Sequence, residues 1–259
     1  IHSCIPLDLL RQTKAQRDAS SARVDSSKGV LDQYNRRINY LRVSLTDVCN
    51  LRCVYCMPED MSFRPQPQIL THEEFRTLIL AFADLGFSKI RYTGGEPTLF
   101  RSLPQLIREV RDASPGTVQA VTTNGIALSH LARPLRDAGL ARVNISIDSL
   151  DEDRYRQITR WGSLTDVKRG IDAAEAAGLD IKLNCVVVRG LNDQEDVIEL
   201  ARLTLDKPWQ VRFIELMPFG GGIHEFQRSQ IVSEQELCGK ITDALGPLEL
   251  QNGGQLDGE

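Results

Sequence analysis

Three helix-like runs in this chain end alike: Asp84-Leu85-Gly86-Phe87, Asp137-Ala138-Gly139-Leu140 and Ala176-Ala177-Gly178-Leu179. Each puts glycine where a left-handed C-terminal cap is wanted, then an apolar residue leading into a strand-like run. From residue 38 onward the alternation of strand-like and helix-like runs repeats six times. Strands are expected at 39–46, 88–93, 117–123, 142–148, 180–188 and 210–217, and helices at 72–85, 102–113, 127–138, 164–177, 194–205 and 233–244. Such alternation implies a parallel sheet with right-handed crossovers.

The strands carry a second pattern, because successive side chains point to opposite faces. Leu41, Val43 and Leu45 share one face of the first strand, against Tyr40, Arg42, Ser44 and Thr46. Ile90 and Tyr92 oppose Lys89, Arg91 and Thr93; Val143, Ile145 and Ile147 oppose Arg142, Asn144, Ser146 and Asp148; Ile181, Leu183 and Cys185 oppose Lys182 and Asn184. A parallel strand covered by helices on both sides is apolar on both faces. An antiparallel sheet with one wet face would account for the polar side, but the intervening helices argue against it. The expected fold is α/β, an incomplete and open (β/α)6 TIM-like barrel whose apolar strand faces meet the helices. An ordinary closed barrel fills its interior with branched apolar side chains. A polar interior implies a large polar ligand.

Charge limits what that ligand meets. The 259 residues carry 31 Lys and Arg against 35 Asp and Glu, a net charge of −4, so no general nucleic-acid or membrane surface is expected. No apolar run approaches the roughly 20 residues that span a bilayer. An anionic ligand must therefore be met by a few placed cations. Residues 1–33 are polar and serine-rich and read as a disordered tail or targeting remnant, 34–245 as the barrel, and 246–259 as a cut-short C-terminal segment.

The first strand runs into Thr46-Asp47-Val48-Cys49-Asn50-Leu51-Arg52-Cys53-Val54-Tyr55-Cys56. Three thiolates on one loop suit an iron–sulfur cluster or zinc. Such local crowding favours metal or redox chemistry in a reducing compartment over disulfides. Three ligands are one short of four. The missing one leaves an iron open for a substrate, or, in a zinc knuckle, is supplied from afar by His72 or Cys185. Thr93-Gly94-Gly95-Glu96-Pro97 closes the second strand, and paired glycines allow close approach to the backbone, in a tight turn or against a ligand. Cys185 shares the apolar face of its strand, and Cys238 falls among Leu237, Ile241 and Leu245, so both are expected in the core.

The C-x3-C-x2-C spacing, with an aromatic before the last cysteine, resembles the radical S-adenosylmethionine (SAM) superfamily. That resemblance implies a [4Fe–4S] cluster on Cys49, Cys53 and Cys56, SAM on the open iron with Tyr55 against it, and a 5′-deoxyadenosyl radical as the reactive species. It places Gly95 and Glu96 at the SAM amino group. Asn39-Tyr40-Leu41-Arg42-Val43-Ser44-Leu45-Thr46-Asp47, Cys56-Met57-Pro58-Glu59, Thr122-Thr123-Asn124-Gly125, Asn144-Ile145-Ser146-Ile147-Asp148, Lys182-Leu183-Asn184 and Arg212-Phe213-Ile214-Glu215-Leu216-Met217-Pro218-Phe219 resemble, in order, the GTP 3′,8-cyclase family of molybdenum-cofactor biosynthesis. The likeness runs from about residue 31 to about residue 245.

It implies Gly95, Ser146 and Met217 at SAM, and Arg42, Arg91, Thr122 and Lys182 at GTP. Arg42, Arg91 and Lys182 all lie on polar strand faces, where three cations suit a triphosphate. The family also implies a flavodoxin- or ferredoxin-like electron donor, a cyclic pyranopterin monophosphate synthase downstream, and allows a homodimer. The compartment implied is cytoplasmic, with the mitochondrial matrix as the alternative.

The family's second [4Fe–4S] cluster uses three C-terminal cysteines, and no C-x2-C pair follows Cys56 here. The family's C-terminal Gly-Gly tail is missing as well, and Thr98 stands where an aliphatic residue is expected. The expectation is a chain that cleaves SAM slowly without cyclising GTP. A peptide-modifying radical SAM enzyme and a non-catalytic Fe–S or zinc protein are the rival readings.

Overall fold

The computed structural model describes residues 29–34, 36–217 and 228–249. Residues 1–28 of the expected tail (1–33), Cys4 among them, and the C-terminal stretch from 250 lie outside those residues, while Val30 and Leu31 of that tail form a strand. A short antiparallel hairpin of β1 (Val30–Leu31) and β2 (Arg37–Ile38) comes first, closed by Asp32, which accepts from Tyr34 N and Arg36 N.

Six strands then form one fully parallel sheet in sequence order: β3 (Tyr40–Ser44), β4 (Lys89–Thr93), β5 (Val118–Thr123), β6 (Arg142–Ser146), β7 (Asp180–Val187) and β8 (Gln210–Glu215). The helices between them are α1 (His72–Asp84), α2 (Leu103–Ala113), α3 (Leu128–Ala138), α4 (Glu152–Thr159), α5 (Leu164–Ala176) and α6 (Glu195–Asp206), and α7 (Glu234–Leu245) follows β8. β3 and β8 are the two edges, so the barrel is open and TIM-like, as the strand faces implied.

Local chemistry sets the helix ends. Thr71 Oγ1 accepts from Glu74 N while the Glu74 carboxylate accepts from Thr71 N, a reciprocal capping box that starts α1. Asp151, Ser163 and Ser233 cap α4, α5 and α7 in the same sense. At the other ends, Gly86, Gly139 and Gly178 have φ of 93°, 110° and 72°, and the apolar residue after each returns its N–H into the last turn (Phe87 to Phe82 O, Leu140 to Leu135 O, Leu179 to Ala174 O).

The core lies between sheet and helices. Ile90, Tyr92, Val121, Val143, Ile145 and Leu183 pack outward against Leu106, Ile107, Leu128, Leu135 and Val167, all essentially sealed from solvent. Cys185 belongs to this layer as expected. Cys238 does not: it is exposed, because α7 turns Ile241, with Leu237 and Leu245, to the core, and residue 238 sits about 100° away from 237 around the helix. The short helix α4 was not expected. Its sequence is strongly polar, and only Tyr155, Ile158 and Thr159, spaced i, i+3, i+4, turn inward.

Candidate active site

The inward strand faces stack polar side chains in rungs. Arg42 lies in register with Arg91, and Arg91 with Ala120. Two residues further along the strands, Thr122 pairs with Asn144, and Asn144 with Lys182. One rung higher, Ser146 pairs with Asn184 and Asn184 with Arg212. Two residues of strand rise about 6.6 Å, so the arginine rung sits roughly 13 Å below the serine rung. Arg91, Asn144, Lys182 and Asn184 are each at most 8% exposed, whereas Arg42 is exposed on the edge strand. The Arg91 guanidinium lies 5.2 Å from the Tyr40 ring centroid.

Three of these buried atoms, Thr122 Oγ1, Asn144 Oδ1 and Asn184 Oδ1, have no hydrogen-bond partner among the described residues. Buried polar atoms are normally paired. Three facing one interior mark a place shaped for a polar ligand. Asn144 and Asn184 were legible as polar-face residues, but only the packing shows their carbonyl oxygens unanswered. Arg212 joins the upper rung beside them.

The cysteine loop crosses the C-terminal end of the sheet, where parallel barrels carry their chemistry. Cys49, Cys53 and Cys56 are all free thiols, the first two half-buried and the third exposed. Cys56 N and Met57 N both donate to Cys53 O, winding the loop tightly, and Leu51 N donates to Cys49 Sγ at 3.4 Å. Burial raises the pKa of all three thiols, Cys53 most. Thiolates form here when a metal's charge displaces the protons.

Neither distant candidate completes a zinc site. His72 Nε2 is 2.9 Å from Glu109 and its ring stacks on Phe100, while Cys185 is sealed in the core. Among the described residues no three Cys, His, Asp or Glu side chains, the loop thiols included, stand close enough together to hold a single metal ion. Soft donors on a wound loop, without a nearby fourth, fit a cluster with one open iron.

Tyr55 donates to Asp148 Oδ2 at 2.5 Å, and Val186 N donates to Asp148 Oδ1 at 2.8 Å. Burial pushes the Asp148 carboxyl up to about 6 against the pull of those two bonds, and burial likewise raises Tyr55. Asp148 thus ties the cysteine loop to the ends of β6 and β7, a role its place on the polar face did not reveal.

Gly94 and Gly95 also meet a need of the fold itself. A Cβ on Gly94 would stand 2.4 Å from Thr46 O, and one on Gly95 2.3 Å from Val48 O. What passes so close is the main chain of the cysteine loop, with Gly95 N donating to Thr46 O at 2.6 Å and Glu96 N to Val48 O at 2.8 Å. Glu96 is 1% exposed and fully engaged. Its Oε1 accepts from Thr98 N, Thr98 Oγ1 and Thr123 Oγ1, and its Oε2 from Asn124 N. The unexpected Thr98 is one of its donors. Ser146 stands half-buried at the head of β6, beneath the loop tier. Met217 is 63% exposed, beside residues 218–227 outside the description, so Pro218 and Phe219 have no structural account.

A family model described as the radical SAM superfamily matches residues 43–203. A GTP 3′,8-cyclase of Pseudomonas putida (strain W619) is 45% identical over 227 residues, covering 86% of this chain and 67% of that protein. Its namesake in Pelotomaculum thermopropionicum is 47% identical over 220 residues, covering 84% and 67%. A third, from Pseudomonas putida (strain GB-1), is 48% identical over 207 residues, covering 79% and 61%. The chain therefore spans about two thirds or less of the length of these relatives. Among solved structures, Streptococcus suis SuiB bound to S-adenosylmethionine superposes with a TM-score of 0.62 at 16% identity, over 79% of this chain and 47% of that one. Methylornithine synthase superposes at 0.60 with 18% identity, over 93% and 73%. At those identities the likeness is one of fold. No described helix is long and apolar enough to cross a membrane.

Proposed function

This chain belongs to the radical SAM superfamily and, within it, to the GTP 3′,8-cyclase family, and from that premise we propose how its own residues divide the work. Family membership implies a [4Fe–4S] cluster and SAM. Cys49, Cys53 and Cys56 would hold the cluster, and Tyr55, Gly95, Ser146 and Met217 would border SAM. The bound pair supplies one-electron cleavage of a sulfonium to a 5′-deoxyadenosyl radical. Glu96 is proposed as a brace under this site, since all its described bonds go to the protein.

Arg42, Arg91 and Lys182 would take the triphosphate of GTP, and Thr122 a polar group above it. The observation that carries this reading is the set of unanswered buried atoms, Thr122 Oγ1, Asn144 Oδ1 and Asn184 Oδ1, within two rungs of three inward-facing cations. The roughly 13 Å between rungs suits a nucleotide lying along the barrel axis, phosphates low and ribose near the cysteine loop. The radical would take the ribose C3′ hydrogen, and C3′ would then close on C8 of guanine.

A flavodoxin- or ferredoxin-like donor as reductant and a cyclic pyranopterin monophosphate synthase as the next enzyme are proposed on the same premise. A second [4Fe–4S] cluster would need ligands other than the later cysteines described here, because Cys185 is sealed in the core and Cys238 faces solvent.

The test is anaerobic incubation with SAM, GTP and a reductant, scoring 5′-deoxyadenosine and cyclised nucleotide separately, with GTP and guanosine binding measured alongside. Deoxyadenosine formation and selective GTP binding are expected. Equal affinity for GTP and guanosine would overturn the triphosphate assignment.

A further inference from the structure

The cysteine loop contains an arginine that serves neither rung. Arg52 lies between Cys49 and Cys53 and is 7% exposed. Its Nη1 donates to Cys49 O and to Leu51 O, both at 2.8 Å, and its Nε to Glu59 O at 3.2 Å. The guanidinium lies over two aromatic rings, 5.0 Å from the Phe63 centroid and 4.5 Å from that of Trp161. One planar cation thus gathers three carbonyls spread over eleven residues of loop. A lysine ammonium has neither the fork nor the flat faces for this.

A second arginine closes the arrangement from outside. Arg160 directly follows α4 and sends Nη1 to Arg52 O at 3.3 Å and Met57 O at 3.5 Å, with Nε 3.4 Å from Glu59 Oε1. It is the one described non-glycine residue with positive φ, at 64°. A side chain in that region carries a backbone cost that surrounding contacts must hold in place. The strained turn is what aims Arg160 at the loop and lays Trp161 over Arg52. The main chain joins in, with Arg52 N donating to Thr159 O and Val54 N to Ile158 O.

We propose that Arg52 and Arg160 are positioning residues that clamp the cysteine loop in its cluster-holding shape, and that Arg52 gives the cluster a fixed neighbouring positive charge. The proposal rests on the assignment of Cys49, Cys53 and Cys56 as cluster ligands. A reduced cluster carries one more negative charge than an oxidised one, so a buried cation beside Cys49 favours the reduced state and raises the potential. Among the described residues the partners of the Arg52 side chain are carbonyls and aromatic rings, which leave that charge unneutralised, whereas a carboxylate partner would cancel it. The clamp itself acts on the apo-protein by restricting the loop before metal arrives.

The experiment compares the parent with Arg52→Lys, Arg52→Gln and Arg160→Gly after anaerobic reconstitution. It reads iron per chain, midpoint potential by redox titration, thermal unfolding of the apo-protein, and proteolytic cleavage within residues 49–62. The parent should load about four irons per chain. Arg52→Lys should lose at least half of that iron with the potential of the remainder little changed, since charge stays and geometry goes. Arg52→Gln should lose as much iron and shift the remainder to a more negative potential. Arg160→Gly relieves the backbone yet removes the outer contact, so it should melt no lower than the parent while its loop is cut several-fold faster. A parent without a cluster would sink the ligand assignment and the clamp together. A loaded parent with equally loaded variants of unchanged potential would sink the clamp alone. Arg52 variants that melt far below the parent would also overturn it, by making the arginine a general stability residue.

Discussion

At the loop end of the barrel, Glu96 is almost wholly buried and takes four hydrogen bonds, while Asp148 is as fully engaged. One and two rungs lower, Asn184 Oδ1, Asn144 Oδ1 and Thr122 Oγ1 are also buried and meet no partner among the described residues. Both regions are polar and buried, the first built of charged residues just past the strand ends and the second of uncharged residues on the strands themselves. Their difference separates a frame from a receptacle. Polar groups in the frame hold the protein to itself. Polar groups in the receptacle stay desolvated at a cost that only a ligand repays, so the first set should report on stability and the second on binding.

The largest expected effect is all-or-none. Cys53→Ala should abolish the [4Fe–4S] signal after anaerobic reconstitution. Cys185→Ala, in the core, should keep it and cost about 1 kcal/mol in urea unfolding. Loss of the signal in the Cys185 variant would erase the distinction between loop and core thiols.

Next comes the frame. Glu96→Ala leaves the donors of Thr98, Thr123 and Asn124 without their acceptor. It should destabilise the apo-protein by about 3 kcal/mol or more, since each buried unsatisfied group costs roughly 1–3 kcal/mol. A change below about 1 kcal/mol by the same measure would mean that the frame is not rigid.

The receptacle should respond differently. Lys182→Met and Arg91→Met keep bulk and remove charge. They should weaken GTP by about 1.5–3 kcal/mol in equilibrium binding and guanosine far less. Variants that bind both like the parent would move the anion site elsewhere.

The smallest effect is the most discriminating. Thr122→Val swaps an unanswered hydroxyl for a methyl of the same shape. It should leave apo stability unchanged or raise it by up to about 1 kcal/mol while weakening GTP by about the same amount. A clear loss of apo stability would place a partner on that hydroxyl and end the contrast between the two regions.

Much of the receptacle was legible in the sequence, because strand periodicity assigns Arg91, Asn144 and Lys182 to polar faces, while Thr122 entered only through the family resemblance. The frame was legible mainly through its cysteine spacing. Gly94 and Gly95 were legible as a place of close backbone approach, but not that the main chain of Thr46 and Val48 presses on them. Cys238 was misplaced because an apolar neighbourhood along a helix does not say which side of the turn faces inward. Helix α4 was missed because a polar eight-residue segment carries little periodic signal.

By itself the sequence determined the strand and helix alternation, the glycine caps, the two-faced strands and the three-cysteine loop. Each is written within a few residues and obeyed by local geometry. Tertiary structure alone decided which polar atoms are answered. Tyr55 meets Asp148 across 93 residues, and Arg160 meets the carbonyl of Arg52 across 108. Backbone periodicity states which way a side chain points from its own element. What it meets there depends on how separate elements pack, and no local pattern encodes that distance.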